Sequence, residues 1–271
     1  MTIPDSPHGF YSDVDEAEYH AHAGSLSVSG AKTLLQAPAK FRHQLDNPVH
    51  KDVFDFGTAA HTLVLGVGAE IAVVEADSWR TKDAKVAQDA ARAAGKTPLL
   101  AADYQRVQDM ADALSSHRLA MLLLSEGEPE VSAFCEDTDT GVLRRSRFDW
   151  LGANVITDYK SAASSEPAAF VKAAINLGYH QQAAFYTDIA GDLGHPAQAF
   201  AFIVQEKTAP YIVTVIELPA ELVNVGRARN RAALQRYRDC VESGYWPGYI
   251  SDDTFATPSA PAWALRDEYV A

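Results

Sequence analysis

Near residue 126 the spacing of apolar residues changes period, and this limits the possible folds more than any other feature of the chain. Upstream, helical spacing dominates: Ser27–Asn47 reads as helix–break–helix, with Ser29 as a cap and Pro38 restarting it at a first helical position. Phe54–Gly66 reads as a buried helix closed by Gly66, and Ile71–Glu75 as a short strand. Lys82–Ala94 and Ala101–Leu124 read as helices separated by Gly95 and Pro98. Downstream, Glu130–Glu136, Val142–Leu151 and Asn154–Ser161 are short strand-like runs divided by turn signals, an antiparallel meander. Helices follow at Glu166–Asn176 and Tyr179–Leu193, then strands at Gln198–Glu206 and Tyr211–Leu218, then a long helix over Ala220–Ser243. The order β-β-β-α-α-β-β-α predicts a mixed sheet flanked by helices, an α/β (α+β) fold. Residues 1–24 read as an irregular lead-in. Residues 25–271 read as one domain, with a helical part to 125, a sheet core over 126–245 and a C-terminal extension from 246.

Composition narrows the function classes. The net charge of −13 counts against nucleic acid, although binding follows local potential rather than the total. Metal sites also concentrate carboxylates. Two cysteines, Cys135 and Cys240, exclude a four-cysteine metal site within the chain and read as reduced thiols of a cytoplasmic protein. The longest apolar stretches fall far short of the ~20 residues of a membrane span. Residues 1–11 lack the basic and apolar regions of a secretory signal. No GxxxxGK[ST] loop is present.

The chemistry concentrates in Arg144-Arg-Ser-Arg-Phe-Asp-Trp150, a Gly152-Ala153 turn, and Val155-Ile-Thr-Asp-Tyr-Lys160. Alternation in a strand puts Asp158 and Lys160 on one face, and Arg145, Arg147 and Asp149 in one row on the preceding strand. Pairing through the turn brings Asp149 and Asp158 together. Two carboxylates bind Mg²⁺ or Mn²⁺ through hard oxygen ligands, and a lysine orients water and offsets transition-state charge. The tripeptide alone fits better a strand whose Asp and Lys face solvent; Asp149 at hairpin distance shifts the balance.

Asp149 followed by Asp158-Tyr-Lys160 resembles the catalytic core of the PD-(D/E)XK nuclease superfamily. Gln182 and Tyr186, at i and i+4 on one helix face with Tyr179 beside them, resemble the Gln-x-x-x-Tyr motif of the RecB and RecE branches. Leu26–Phe41 and Phe54-Asp-Phe-Gly-Thr-Ala-Ala-His61 resemble the opening of phage RecE-type exonucleases (exodeoxyribonuclease VIII-like), over roughly residues 19–245 in all. The resemblance implies a restriction-endonuclease-like core with N-terminal helical embellishment. It implies His61, Asp149 and Asp158 as metal ligands, Lys160 positioning water, and Gln182 and Tyr186 on the scissile phosphate or that water. His61 also fits a core histidine bonded to backbone, and Gln182 with Tyr186 fits a packing face. Glu130 is an outer ligand candidate. Arg145, Arg147, Tyr179, Arg227 and Arg231 are DNA-contact candidates, with bridging to acids the alternative for the helical arginines. The activity implied is Mg²⁺-dependent 5′-to-3′ resection of double-stranded DNA ends for recombination, with a RecT-type annealing partner and a ring-shaped homo-oligomer. The rivals are an endonuclease on the same core and an inactive DNA-binding scaffold.

Overall fold

The computed structural model describes residues 3–47 and 55–265. Phe54, the first residue of the Gly-Thr-x-x-His segment, and residues 266–271 of the C-terminal extension lie outside them, as do residues 1–2 of the lead-in. Nine strands and ten α-helices are described. The strands are β1 (Gly9–Tyr11), β2 (Leu26–Ser27), β3 (Ile71–Val74), β4 (Thr97–Leu100), β5 (Glu128–Glu136), β6 (Leu143–Leu151), β7 (Val155–Ala162), β8 (Ala199–Glu206) and β9 (Val213–Glu217). The first five helices are α1 (Glu16–Ala21), α2 (Val28–Gln36), α3 (Pro38–Asp46), α4 (Asp55–Leu65) and α5 (Lys82–Ala93). The others are α6 (Ala101–Ser115), α7 (Arg118–Leu123), α8 (Pro167–Leu177), α9 (Tyr179–Asp192) and α10 (Ala220–Ser243).

Seven strands form the main sheet in the order β1-β5-β6-β7-β8-β9, with β2 joined to β6; β3 and β4 form a separate parallel pair. The β5-β6-β7 meander is antiparallel, and the α8–α9 connection returns β8 parallel to β7. One face of the sheet buries Phe148, Ile156 and Phe202 against Phe170, Phe185 and Ile189 of α8 and α9. The other face buries Tyr159 and Ile203 against Ala59, Val107 and Met110 of α4 and α6. Full burial of a Phe side chain stabilises the fold by roughly 1.5–3 kcal/mol, so these two layers hold it.

Several sequence expectations are corrected. The lead-in is not irregular: β1 pairs with β5, and α1 is capped by Asp15, whose carboxylate accepts from the Ala17 and Glu18 amides. Ser27, not Ser29, caps α2. The helix expected over Ala101–Leu124 is two, because His117 caps α7 with its ring. Strand β4 was hidden because Pro98 reads as a breaker, whereas in a parallel pair of four residues a proline near the strand start is tolerated.

Two features of this fold build the site. Strand β6 has different neighbours along its length. At its start Arg144 and Arg145 pair with Leu26 and Ser27 of β2, and only at its end do Trp150 and Leu151 pair with Thr157 and Ile156 of β7. The two-residue β2 thus acts as a wedge, and β6 and β7 diverge like a fork. The second feature is a kink. Glu130, opposite Asp149, has φ 55°, and the β5–β6 register has no bridge there. Phe148 and Leu151, three apart, both pack on the same core, so the alternation of faces slips by one at this pair. Holding a non-glycine residue in the left-handed region costs about 1–2 kcal/mol.

Helices α9 and α10 pack backbone to backbone at Gly226, where a Cβ would come within 2.2 Å of the His180 carbonyl oxygen. Gly226→Ala is therefore expected to destabilise the protein by about 3 kcal/mol, measured as a lowered urea midpoint with unchanged m-value. A midpoint equal to wild type contradicts this packing.

Candidate active site

The fork frees main-chain groups that a continuous ladder would have used, and side chains take their place. The Asp149 carboxylate accepts the Tyr159 N–H at 2.9 Å, standing in for a ladder bond. Asp158 is buried on β7, with Oδ1 accepting from Gln182 Nε2 at 2.6 Å and Oδ2 paired with Lys160 Nζ at 2.6 Å. Beyond that ion pair Oδ2 has no hydrogen-bond partner, a buried oxygen with capacity left over. Lys160 Nζ also lies 4.9 Å over the Tyr179 ring.

His61 arrives from the opposite layer. Ala59 and Ala60 are almost fully buried, and Gly57 faces Ser161, so small side chains let α4 lie close on β7. His61 then reaches over the kink, with Nε2 3.1 Å from Asp149 and Nδ1 3.3 Å from Glu130. His61, Glu130 and Asp149 offer ligand atoms that all lie within 4.8 Å of one another. One imidazole and two carboxylates suit a divalent cation of hard or borderline character. All three are partly exposed, and Glu130 also lines a cleft of about 330 Å³ with Asp13, Val67, Gly68 and Arg147.

The charges are strongly coupled. Burial pushes the Asp158 carboxyl up, and Asp149 adds to it, so that Lys160 and His61 bring it back only to about 6. Burial also acts to raise Asp149, but His61, Lys160 and the Tyr159 amide outweigh it and hold Asp149 below its usual range. Burial disfavours charge on Lys160, yet Asp158 and Asp149 reverse this and raise its pKa, so it stays an ammonium. His61 follows the same pattern: burial disfavours the imidazolium, but Asp149 and Glu130 raise its pKa to about 9.

A cation at the trio must expel the proton that His61 carries below that value. Apparent affinity for a divalent cation is therefore expected to rise up to tenfold per pH unit from 7 and to level off above 9. Calorimetry in buffers of different ionisation enthalpy should show about one proton released at pH 7.5. A pH-independent affinity would remove His61 from the ligand set.

Of the candidate residues, Asp149, Asp158, Lys160, His61, Glu130, Gln182 and Tyr179 gather at the fork, and others do not. The compact trio contains Glu130 where the sequence reading placed Asp158, which lies on the Lys160 side instead. Tyr186 is corrected: it is buried in the core against Phe148 and Phe200, with ring centroids 5.2 and 6.2 Å away, and so supports the site from beneath. Arg145 is corrected as a DNA contact. It is buried, and its guanidinium donates to the carbonyls of His20, His22 and Ser25. Arg147 donates to Glu130 and to the Val14 carbonyl. Arg227 pairs with Asp188, and Arg231 with Asp137 and Asp139, so both bridge to acids. Cys135 and Cys240 are free and buried. The sequence reading missed Lys32, whose charge is felt at Lys160 and Asp158. Nothing in the sequence around it, at the margin of the buried Val28, Ala31 and Leu34 face of α2, sets it apart from a solvated lysine.

The profile of the family described as a PDDEXK-like domain of unknown function, DUF3799, matches residues 27–253. The chain belongs to that family. The PDDEXK-like class is one of nucleases, which generally use divalent metal ions, and the chain is accordingly a phosphodiester hydrolase with a restriction-endonuclease-like fold. A crystal structure of a candidate exonuclease from Eubacterium rectale superposes with a TM-score of 0.61 at 13% identity, covering 94% of this chain and 98% of that one. No curated protein matches the chain. No described helix is long and apolar enough to cross a membrane.

Proposed function

We propose that this PDDEXK-like protein is a Mg²⁺-dependent exonuclease of double-stranded DNA ends, of RecE type, degrading 5′ to 3′ and leaving 3′ single strands for annealing by a RecT-type partner. The observation that carries the reading is the fork between β6 and β7, with Asp149, Asp158 and Lys160 at its mouth and His61 above. Support for an exonuclease comes from the Gln182 contact with Asp158 and from the E. rectale neighbour, which matches over nearly its whole length.

In this reading His61, Glu130 and Asp149 would hold Mg²⁺, with Mn²⁺ a substitute, while Asp158 on the Lys160 side keeps one oxygen with no hydrogen-bond partner beyond that ion pair. The ion supplies Lewis acidity at the phosphoryl oxygen and lowers the pKa of water. Lys160, kept protonated by its two acids, donates hydrogen bonds to the attacking water or a non-bridging oxygen and offsets the charge that builds there. Gln182 fixes the Asp158 carboxylate so that Lys160 is held in one place. Water oxygen would join phosphorus as the bond from phosphorus to the 3′ oxygen breaks; the released nucleotide departs with that oxygen, which takes up a proton as a 3′ hydroxyl, and the new 5′-phosphate stays on the shortened strand. A ring-shaped homo-oligomer allows an acidic exterior around a cationic channel.

The test is digestion of duplex labelled at either end, beside closed circular duplex, with Mg²⁺ and with chelator. Release of labelled 5′ nucleotides from the linear form alone is expected. Cutting of the closed circle makes the protein an endonuclease, early release of 3′ label reverses the polarity, and no cleavage at all favours a scaffold.

A further inference from the structure

In a chain with 36 acidic and 23 basic residues, three cations gather at the α8–α9 junction. Gly178 sits at that junction with φ 72°. Lys32 of α2 lies across it, so that a Cβ at 178 would fall 2.5 Å from Lys32 Cδ. The Lys32 ammonium donates to the Leu177 carbonyl at 3.0 Å. The next residue, Tyr179, carries Lys160 over its ring. On the other side lies Gln181, whose Oε1 is 3.6 Å from the position of that same Cβ. This oxygen accepts from Arg229 Nε of α10 at 3.1 Å. Lys160, Lys32 and Arg229, from three different elements, therefore flank one short turn.

Their pairing separates them from the other basic residues nearby. Lys32 is held by a carbonyl and Arg229 by an amide oxygen, and neither has a carboxylate partner among the described residues. Arg227 and Arg231, on the same helix as Arg229, are both spent on aspartates. Burial and the neighbouring Lys160 both act to lower the Lys32 pKa, with Asp158 opposing, so like charges are being held together at a cost. An anion placed among them removes that cost. Arg229 is exposed and Lys32 partly so, which leaves both accessible.

We propose that Lys32 and Arg229 form a phosphate track that receives the nucleic-acid backbone next to the scissile position held by Lys160. The track rests on the nuclease reading above, and its ligand is the sugar-phosphate strand irrespective of base sequence. Arginine offers a planar fork to phosphate oxygens and lysine a point charge, and the absence of a side chain at Gly178 leaves the room that the Lys32 stem occupies across the turn.

The test uses the full chain carrying Lys32→Gln or Arg229→Gln. Each keeps an N–H donor for its present acceptor and removes the charge. Lys32→Arg keeps the charge, and Lys96→Gln removes one from an exposed ion pair with Glu70 on β4's approach. Binding of linear duplex with Ca²⁺ in place of Mg²⁺ is measured from 50 to 200 mM salt, beside KM and kcat in Mg²⁺. Each glutamine variant is expected to bind about tenfold more weakly, with KM rising more than kcat falls, and to flatten the log–log salt slope by about one. Lys32→Arg is expected to restore the wild-type slope, and Lys96→Gln to leave it unchanged. A wild-type slope in both glutamine variants overturns the track, as does an equal loss from Lys96→Gln, which would make the effect one of total charge. Wild type that neither binds nor cuts duplex overturns the nuclease reading itself, a result visible before any variant is compared.

Discussion

Lys160→Ala is expected to lower the rate of phosphodiester hydrolysis by about 10³-fold while leaving the protein folded. The rate loss follows from removing a fixed cation aimed at charge that develops in the transition state, an effect worth about 10²–10³ for a single hydrogen-bond donor and more for a charged one. The small effect on stability follows from Asp158. Breaking a buried ion pair normally costs several kcal/mol because the surviving charge is stranded. Here the survivor already titrates at about 6, and losing Lys160 raises that value further. At pH 7 Asp158 therefore takes up a proton for less than about 1.4 kcal/mol, the cost of one pH unit. Single-turnover cleavage and a thermal melt check both halves together. Cleavage at the wild-type rate would remove Lys160 from the chemistry, and a collapsed melt would make it a structural residue.

Arg145→Ala is expected to cost about 3 kcal/mol or more of stability. The arginine is 7% exposed, and its guanidinium serves main-chain carbonyls at His20, His22 and Ser25 as well as the Ser25 hydroxyl. Its charge also lies 5.4 Å from the centre of the Tyr19 ring. Alanine leaves several buried acceptors without a donor, each worth about 1–3 kcal/mol where water cannot reach. The segment it anchors contains β2, so activity falls with stability, and hydrogen exchange over residues 16–27 accelerates. A variant that keeps its unfolding midpoint but binds DNA with a shallower salt dependence would return Arg145 to the DNA-contact set.

The same arginine shows where the sequence was informative and where it was not. Period-two spacing made Asp158 and Lys160 neighbours on one face, and the Gly152-Ala153 turn brought Asp149 within reach; both are local properties of strands. Spacing also put Arg145 and Arg147 in the Asp149 row, correctly as to face, but the row is covered by the N-terminal segment, whose β1 and β2 are too short to show any periodicity. Glu130 was undervalued for a related reason. Its approach to His61 depends on a left-handed backbone position inside a strand, which a glutamate does not advertise. The Gln182–Tyr186 spacing gave a shared helix face, yet α9 is buried on most sides, so Gln182 meets Asp158 while Tyr186 meets Phe148. Helical position alone did not tell which of Arg227, Arg229 and Arg231 had already found an aspartate.

The two-residue wedge has a consequence for the order in which this site is assembled. The contacts that seat it, such as Arg145 with Ser25, join positions 120 apart, whereas the β5–β6–β7 meander closes over short loops. Long closures are entropically expensive and form late. During maturation the carboxylates can therefore be present on a formed meander before the gap between their strands is propped open, so the acids of the site are in place before the geometry that spaces them.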